Sequence, residues 1–242
     1  MKIYKFRNLT DEKKHSHFYQ IVLQNSIWCA KPDSLNDENE FKFKLDCIPS
    51  ADTAKLLSQL VKECNNRKYH PNLFTSPTLN HNKLENIAAP IFEDLIKKCR
   101  NTIGVASFSI TKTDNKLWNE YGGKGNGVCI EINIPDELIG KSYHRVHYVS
   151  EKILHIDTIL KSYLFQEKYF ETYQNILLTK TKKWSQEEEI RFISKHQEVN
   201  LNIDGYISEV SFGTQVPEHI LEQVEANIVK HCNTNNIIIT KL

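Results

Sequence analysis

Lys182-Lys183-Trp184-Ser185-Gln186-Glu187-Glu188-Glu189-Ile190-Arg191-Phe192-Ile193 changes character halfway. Its second half alternates polar and apolar residues, the period of a β-strand, and a strand over 187–194 is expected. That period places Glu187, Glu189 and Arg191 on one face and Glu188, Ile190 and Phe192 on the other. Two carboxylates then project from one surface about 7 Å apart, and Ile190 and Phe192 anchor the strand on a core. Read alone, the segment also fits a half-buried strand with a solvated face and an Arg–Glu pair.

Around it the strand signals dominate: Thr102–Ile110, Gly127–Ile134, Tyr143–Val149, Tyr206–Phe212 and Ile237–Thr240. The chain opens with a strand at 2–7, a helix from Thr10 to Asn25 that spaces Phe18, Ile21 and Val22 along one side, and a short strand at Ile27–Ala30. The turn-rich Lys31–Glu40 follows, then an extended piece carrying Phe41, Phe43 and Leu45. Amphipathic helices are expected at 51–65 and 83–99, a mobile loop between them at 66–82, a long helical region at 151–178 and a last helix at Val216–His231. Such a mixture is α+β and mainly antiparallel, a single domain spanning 1–242 with a helical insertion at about 50–100.

The 242 residues carry 31 Lys+Arg against 30 Asp+Glu, a formal charge of +1, which gives no electrostatic footprint for nucleic acid. No window is apolar enough to span a bilayer and the N-terminus lacks a cleavable apolar core, so a cytoplasmic protein with no membrane partner is expected. Six cysteines without ligand spacing argue against zinc and against a disulfide framework. His144 and His147 fall on opposite faces of a strand, a poor arrangement for a shared metal.

Two further segments carry polar groups in order. Ser107 and Ser109 share one face of a strand, where hydroxyls can orient a carboxylate or contact a ligand. Trp118 and Tyr121, three apart, form an aromatic wall if a helical turn holds them. The glycines after them stand in the order helix, glycine loop, strand. Dinucleotide and P-loop fingerprints require strand, glycine loop, helix, so neither is present.

The ordered set Tyr4-Lys5-Phe6-Arg7, Ser34-Leu35-Asn36-Asp37 with Glu40, Ser107-Phe108-Ser109, Trp118-x-x-Tyr121 with Gly127, and Trp184-x-x-Glu187-x-Glu189-x-Arg191 resembles an uncharacterised bacterial domain-of-unknown-function family found among phage-defence and toxin-like genes. The resemblance spans roughly Ile3 to Phe212. One departure is that Asn36-Asp37 is followed by Glu38-Asn39, where that family has Pro-Phe. The residue logic is also similar, more distantly, to ADP-ribosyltransferases of the Arg-Ser-Glu type. That similarity implies a split, mainly antiparallel sheet core with a cleft for NAD, consumed as a substrate. It also implies roles: Glu189 beside the nicotinamide ribose, Glu187 as general base toward the acceptor, Arg7 on the pyrophosphate, Ser107 and Ser109 at the ribose or orienting Glu189, and Trp118 or Tyr121 stacked on a flat ring.

The implied activity is an ADP-ribosyltransferase acting as a toxin or antiviral defence effector on a protein or nucleic-acid acceptor, with an antitoxin as a further partner and no metal. Three other readings compete. One is a nucleotide-binding module without turnover, one a metal-dependent nuclease using Asp37, Glu40, Glu187 and Glu189, and one an interaction module of a defence system.

Overall fold

The computed structural model describes residues 1–10, 12–66, 81–231 and 237–242. Most of the expected 66–82 loop lies outside them. The chain divides into two compact units: Met1–Ala30 with Gly104–Val146 and Lys183–Leu242, and Lys31–Ile103 with His147–Lys182. The helical insertion expected at about 50–100 falls in the second.

The first unit is built on a seven-stranded sheet with the order β13-β12-β5-β1-β4-β10-β6. Its strands are β1 (Lys2–Asn8), β4 (Gly104–Ser109), β5 (Gly127–Asn133), β6 (Tyr143–Arg145), β10 (Glu189–Ser194), β12 (Ile207–Phe212) and β13 (Ile238–Lys241). All neighbours are antiparallel except β12 and β13. The α+β, mainly antiparallel expectation is met. One face holds the core, where Ile3, Phe108, Ile130, Ile132, Ile190 and Phe212 pack with Phe18, Ile21 and Val22 of α1 (Glu12–Gln24) and Leu221, Val224 and Ile228 of α7 (Glu218–His231). Each such side chain contributes about 1.5–3 kcal/mol by leaving water, so the apolar spacing read in 10–25 fixes how α1 docks. On the other face Phe6, Leu117 and Cys129 form a small cluster with Tyr4, Trp118 and Tyr121. Burial pushes the Cys29 thiol up to about 11 and the Cys129 thiol to about 12, which makes both inert packing residues.

The sheet has a seam. β1 pairs with β5 along its whole length, Lys2↔Asn133 through Asn8↔Gly127, but meets β4 only at Tyr4↔Ser109. Beyond that pair the edge of β4 is taken by Ala30, which exchanges two backbone hydrogen bonds of 2.9 Å with Val105. Ala30 ends the segment begun by β2 (Ser26–Cys29), and β2 pairs with β11 (Val199–Asn202). The β11 strand alternates apolar and polar residues over only four positions, Val199 to Asn202, and was not expected.

The second unit contains α2 (Thr53–Asn66), α3 (His81–Thr102), α5 (Ile156–Leu164), α6 (Tyr169–Leu177) and two parallel strand pairs. The pairs are β3 (Lys44–Asp46) with β8 (Ile153–His155), and β7 (His147–Val149) with β9 (Thr179–Thr181). Two expectations are corrected here. Tyr143–Val149 is not one strand, because Val146 bonds to Glu189 in the sheet while His147 turns to bond Leu178. The helical region at 151–178 begins with a strand and is broken at Phe165, whose φ of −119° and ψ of 100° are extended. Among the described residues no helix is long and apolar enough to cross a membrane.

Two helices of this unit start at one carboxylate. Asp157, in the first turn of α5, accepts hydrogen bonds from Thr53 Oγ1 at 2.7 Å and from Ser50 Oγ at the entry to α2. Burial opposes ionisation, but the two hydroxyls, helped by His155 and Lys161, outweigh it and hold the carboxyl below its ordinary range. A depressed carboxylate stabilises the fold fully above its unfolded value, about 3.9, and this contribution is lost as pH falls through the folded one. Asp157→Asn is therefore expected to cost about 1–3 kcal/mol at pH 7 and less below about pH 4. Urea unfolding at both pH values checks this, and an identical gap at the two would contradict it.

Candidate functional site

The sheet register brings three of the expected residues, Ser107, Ser109 and Glu189, onto one face. Glu189 stands opposite Ser109 and Arg191 opposite Ser107. Directly opposed residues project from the same face, so all four share one surface, the one carrying Phe6 and Tyr4. Glu189 and Arg191 form a two-point ion pair, Nε to Oε1 at 2.7 Å and Nη2 to Oε2 at 3.1 Å, with side chains 7% and 1% exposed. The Arg–Glu pair that the plainer reading of this strand allows is present, but buried instead of solvated, and through it Arg191 fixes the carboxylate.

Glu187 reaches this neighbourhood by a different route from the expected one. It ends a 3-10 turn, Lys182–Glu187, and the strand begins only at Glu189. Between them Glu188 takes a left-handed φ of 42°, so the strand period does not extend back to Glu187. The turn is tied to β4 at two points: Ser109 Oγ donates to the Glu187 carbonyl at 2.8 Å, and the Ile110 N–H to the Glu188 carbonyl at 3.1 Å. The Glu187 side chain is buried and accepts a hydrogen bond from Tyr121 Oη at 2.6 Å.

Tyr121 is in place because Asp114 caps α4 (Asn115–Glu120), accepting from the N–H groups of Lys116 and Leu117 at 2.7 and 3.0 Å. Trp118, on the same helix, is committed to packing. It meets Phe6 edge-on at 5.2 Å between centroids and donates Nε1–H to the Lys112 carbonyl at 2.8 Å. The expected wall of Trp118 and Tyr121 therefore divides into a core residue and a carboxylate donor. Ser109 is engaged by the turn, whereas Ser107 Oγ is buried without a hydrogen-bond partner among the described residues.

Arg7 does not join them on that face. It pairs with Val128, and Lys5 with Ile130, both residues of the apolar core face, while Phe6 and Asn8 point the other way. The expected convergence of Arg7 with Ser107, Ser109 and Glu189 on one sheet surface is corrected to this extent. Arg7 flanks the seam from the opposite side, partly buried. Its Nε has no hydrogen-bond partner among the described residues, its Nη1 reaches the Phe6 carbonyl at 3.5 Å, and burial brings its pKa down to about 10.

Lys5, beside it, is the functional candidate that the sequence reading missed. The signal was present in Ile3-x-Lys5-x-Arg7, which sets two cations on the face that Ile3 commits to the core. Among the described residues no group of three or more His, Cys, Asp or Glu side chains could hold a metal ion. The chain matches no protein family, no curated protein and no solved structure.

Proposed function

We propose that the first unit binds NAD and transfers its ADP-ribose to a macromolecular acceptor, protein or nucleic acid, as a cytoplasmic toxin or antiviral defence effector of the kind the sequence resemblance implies. The observation carrying this reading is the pair of buried carboxylates, Glu187 and Glu189, both held against Ser109 of β4, whose side of the sheet also carries Ser107. Cleavage of the nicotinamide–ribose bond sends its electron pair to nicotinamide and leaves positive oxocarbenium character on the sugar. A carboxylate held rigidly beside that sugar favours the transition state over the ground state. Glu189 takes this role, positioned by Arg191. The acceptor attacks the anomeric carbon and passes its proton to Glu187, which Tyr121 orients. Ser107 Oγ supplies a hydroxyl to the ribose, while Arg7, which leaves β1 on the other face, offers its guanidinium fork to the pyrophosphate from across the seam.

One observation favours a second reading, a nucleotide-binding module without turnover. Arg191 offsets the charge of Glu189, and a carboxylate so compensated stabilises an oxocarbenium ion less. Incubation with NAD followed by mass measurement separates the two. The transferase releases nicotinamide, and Glu189→Gln and Glu187→Gln each slow that release about a hundredfold or more. The binding module retains intact NAD. Protein that neither binds NAD nor releases nicotinamide, with Glu189→Gln identical to the parent, would remove both readings.

A further inference from the structure

Lys5 and Arg7 lie two residues apart on β1, so their side chains leave the strand on one face about 7 Å from each other. Their cross-strand neighbours are Ile130 and Val128, members of the apolar core cluster. Neither cation has an acidic partner among the described residues. Lys5 Nζ donates to the Ser107 carbonyl at 2.5 Å and stands 5.3 Å from the centroid of Phe108, and Arg7 makes only the long contact to the Phe6 carbonyl. Each is partly exposed, yet Arg7 Nε is fully enclosed and unsatisfied.

Two like charges placed this way repel through a poorly solvated region, and an uncompensated buried charge is among the least favourable features a fold retains. The strain is visible on Lys5. Burial first, then the charge of Arg7, drive its ammonium well below the ordinary lysine range, against the attraction of Glu189 and the weaker influence of Cys29 on β2. A structural lysine whose only task was to satisfy one carbonyl would not need a second cation at its side. An anion placed between the two supplies the missing charge and gives Arg7 Nε an acceptor.

We propose that Lys5 and Arg7 together form a receptor for a phosphate or pyrophosphate group at the seam between β1 and β4, with Lys5 as its second cation. Naming the pyrophosphate of a dinucleotide as the natural occupant rests on the NAD reading; the receptor itself does not. On binding, the anion supplies the negative charge that the two cations lack among the described residues.

The probe is inorganic pyrophosphate, titrated calorimetrically into the full chain. The parent protein is expected to bind it, and Lys5→Met and Arg7→Met each to weaken binding about tenfold or more. Without ligand, Lys5→Met is expected to melt at a higher temperature than the parent, because it removes an uncompensated charge. Lys5→Arg keeps the charge and covers the case in which Lys5→Met fails to fold: it is expected to bind pyrophosphate within about threefold of the parent affinity.

Failure of the parent to bind pyrophosphate overturns the proposal, as does unchanged affinity together with a lower melting temperature in Lys5→Met. Lys5-dependent pyrophosphate binding with no action on NAD leaves the receptor standing and removes the NAD reading. Nicotinamide release by Lys5→Met with the KM of the parent does the reverse.

Discussion

Arg191→Ala is expected to destabilise the protein by about 3–5 kcal/mol, the range for a buried ion pair broken from one side. Arg191 is 1% exposed and Glu189 7%, and the two-point contact satisfies both oxygens of the carboxylate. Truncation leaves Glu189 charged, enclosed and short of its main counter-charge. Replacing both members by apolar side chains of similar size, Glu189→Leu with Arg191→Met, is expected to recover most of that loss, because desolvation of the pair offsets much of its attraction. Urea unfolding of Glu189→Leu, Arg191→Met and the double variant gives the coupling directly, with Arg191→Ala measured beside them. If Arg191→Ala unfolds at the parent's urea concentration, the pair contributes nothing. The result also governs functional tests: Glu189→Ala would lose activity by unfolding, so Glu189→Gln is the informative variant for chemistry.

The second large effect is expected at Gly127. A Cβ there would stand 2.2 Å from the Arg7 carbonyl oxygen, 2.8 Å from that of Gly122 and 3.0 Å from Asn8 Cα. All three are backbone atoms, and Asn8 and Gly127 are a paired position of the β1–β5 ladder. The added methyl must push β1 away from β5 beside Arg7, at an expected cost of about 3 kcal/mol, the upper part of the range for overpacking. Gly140 is the control. It has nothing within 4 Å of the same position, but its φ of 78° limits alanine to the left-handed penalty of about 1–2 kcal/mol. Thermal or urea unfolding of Gly127→Ala and Gly140→Ala should rank them in that order, and Gly127→Ala should also weaken pyrophosphate binding. Equal stability of Gly127→Ala and the parent would mean that the two strands separate there without cost.

Much of the architecture is legible in local pattern because burial and strand period act on neighbours in sequence. Ile190 and Phe192 mark the core face of β10, and Ser107 and Ser109 mark the polar face of β4. Phe18, Ile21 and Val22 mark the docking side of α1. Pattern fails where a residue's conformation depends on something distant. Nothing between Glu187 and Glu189 announces that Glu188 will adopt a left-handed backbone, since the cause is the tie from Ser109 and Ile110 on β4. Nothing in Tyr143–Val149 announces that its two halves pair with different strands. The break at Phe165 and the pairing of β11 are of the same kind.

By itself the sequence determined the mixed, mainly antiparallel class and the residue types able to carry acid, hydroxyl and cation chemistry, because side-chain period and apolar spacing are local properties that tertiary contacts rarely reverse. Only the tertiary structure decided which of those groups meet. Strand order and register set Glu189 against Ser109 and Arg191 against Ser107, bring Tyr121 to Glu187, and send Lys5 and Arg7 to the other side of the seam. The relations on the site face join positions 66 to 84 residues apart (Tyr121 to Glu187, Ser107 to Arg191), and no repeat within either strand encodes its partner.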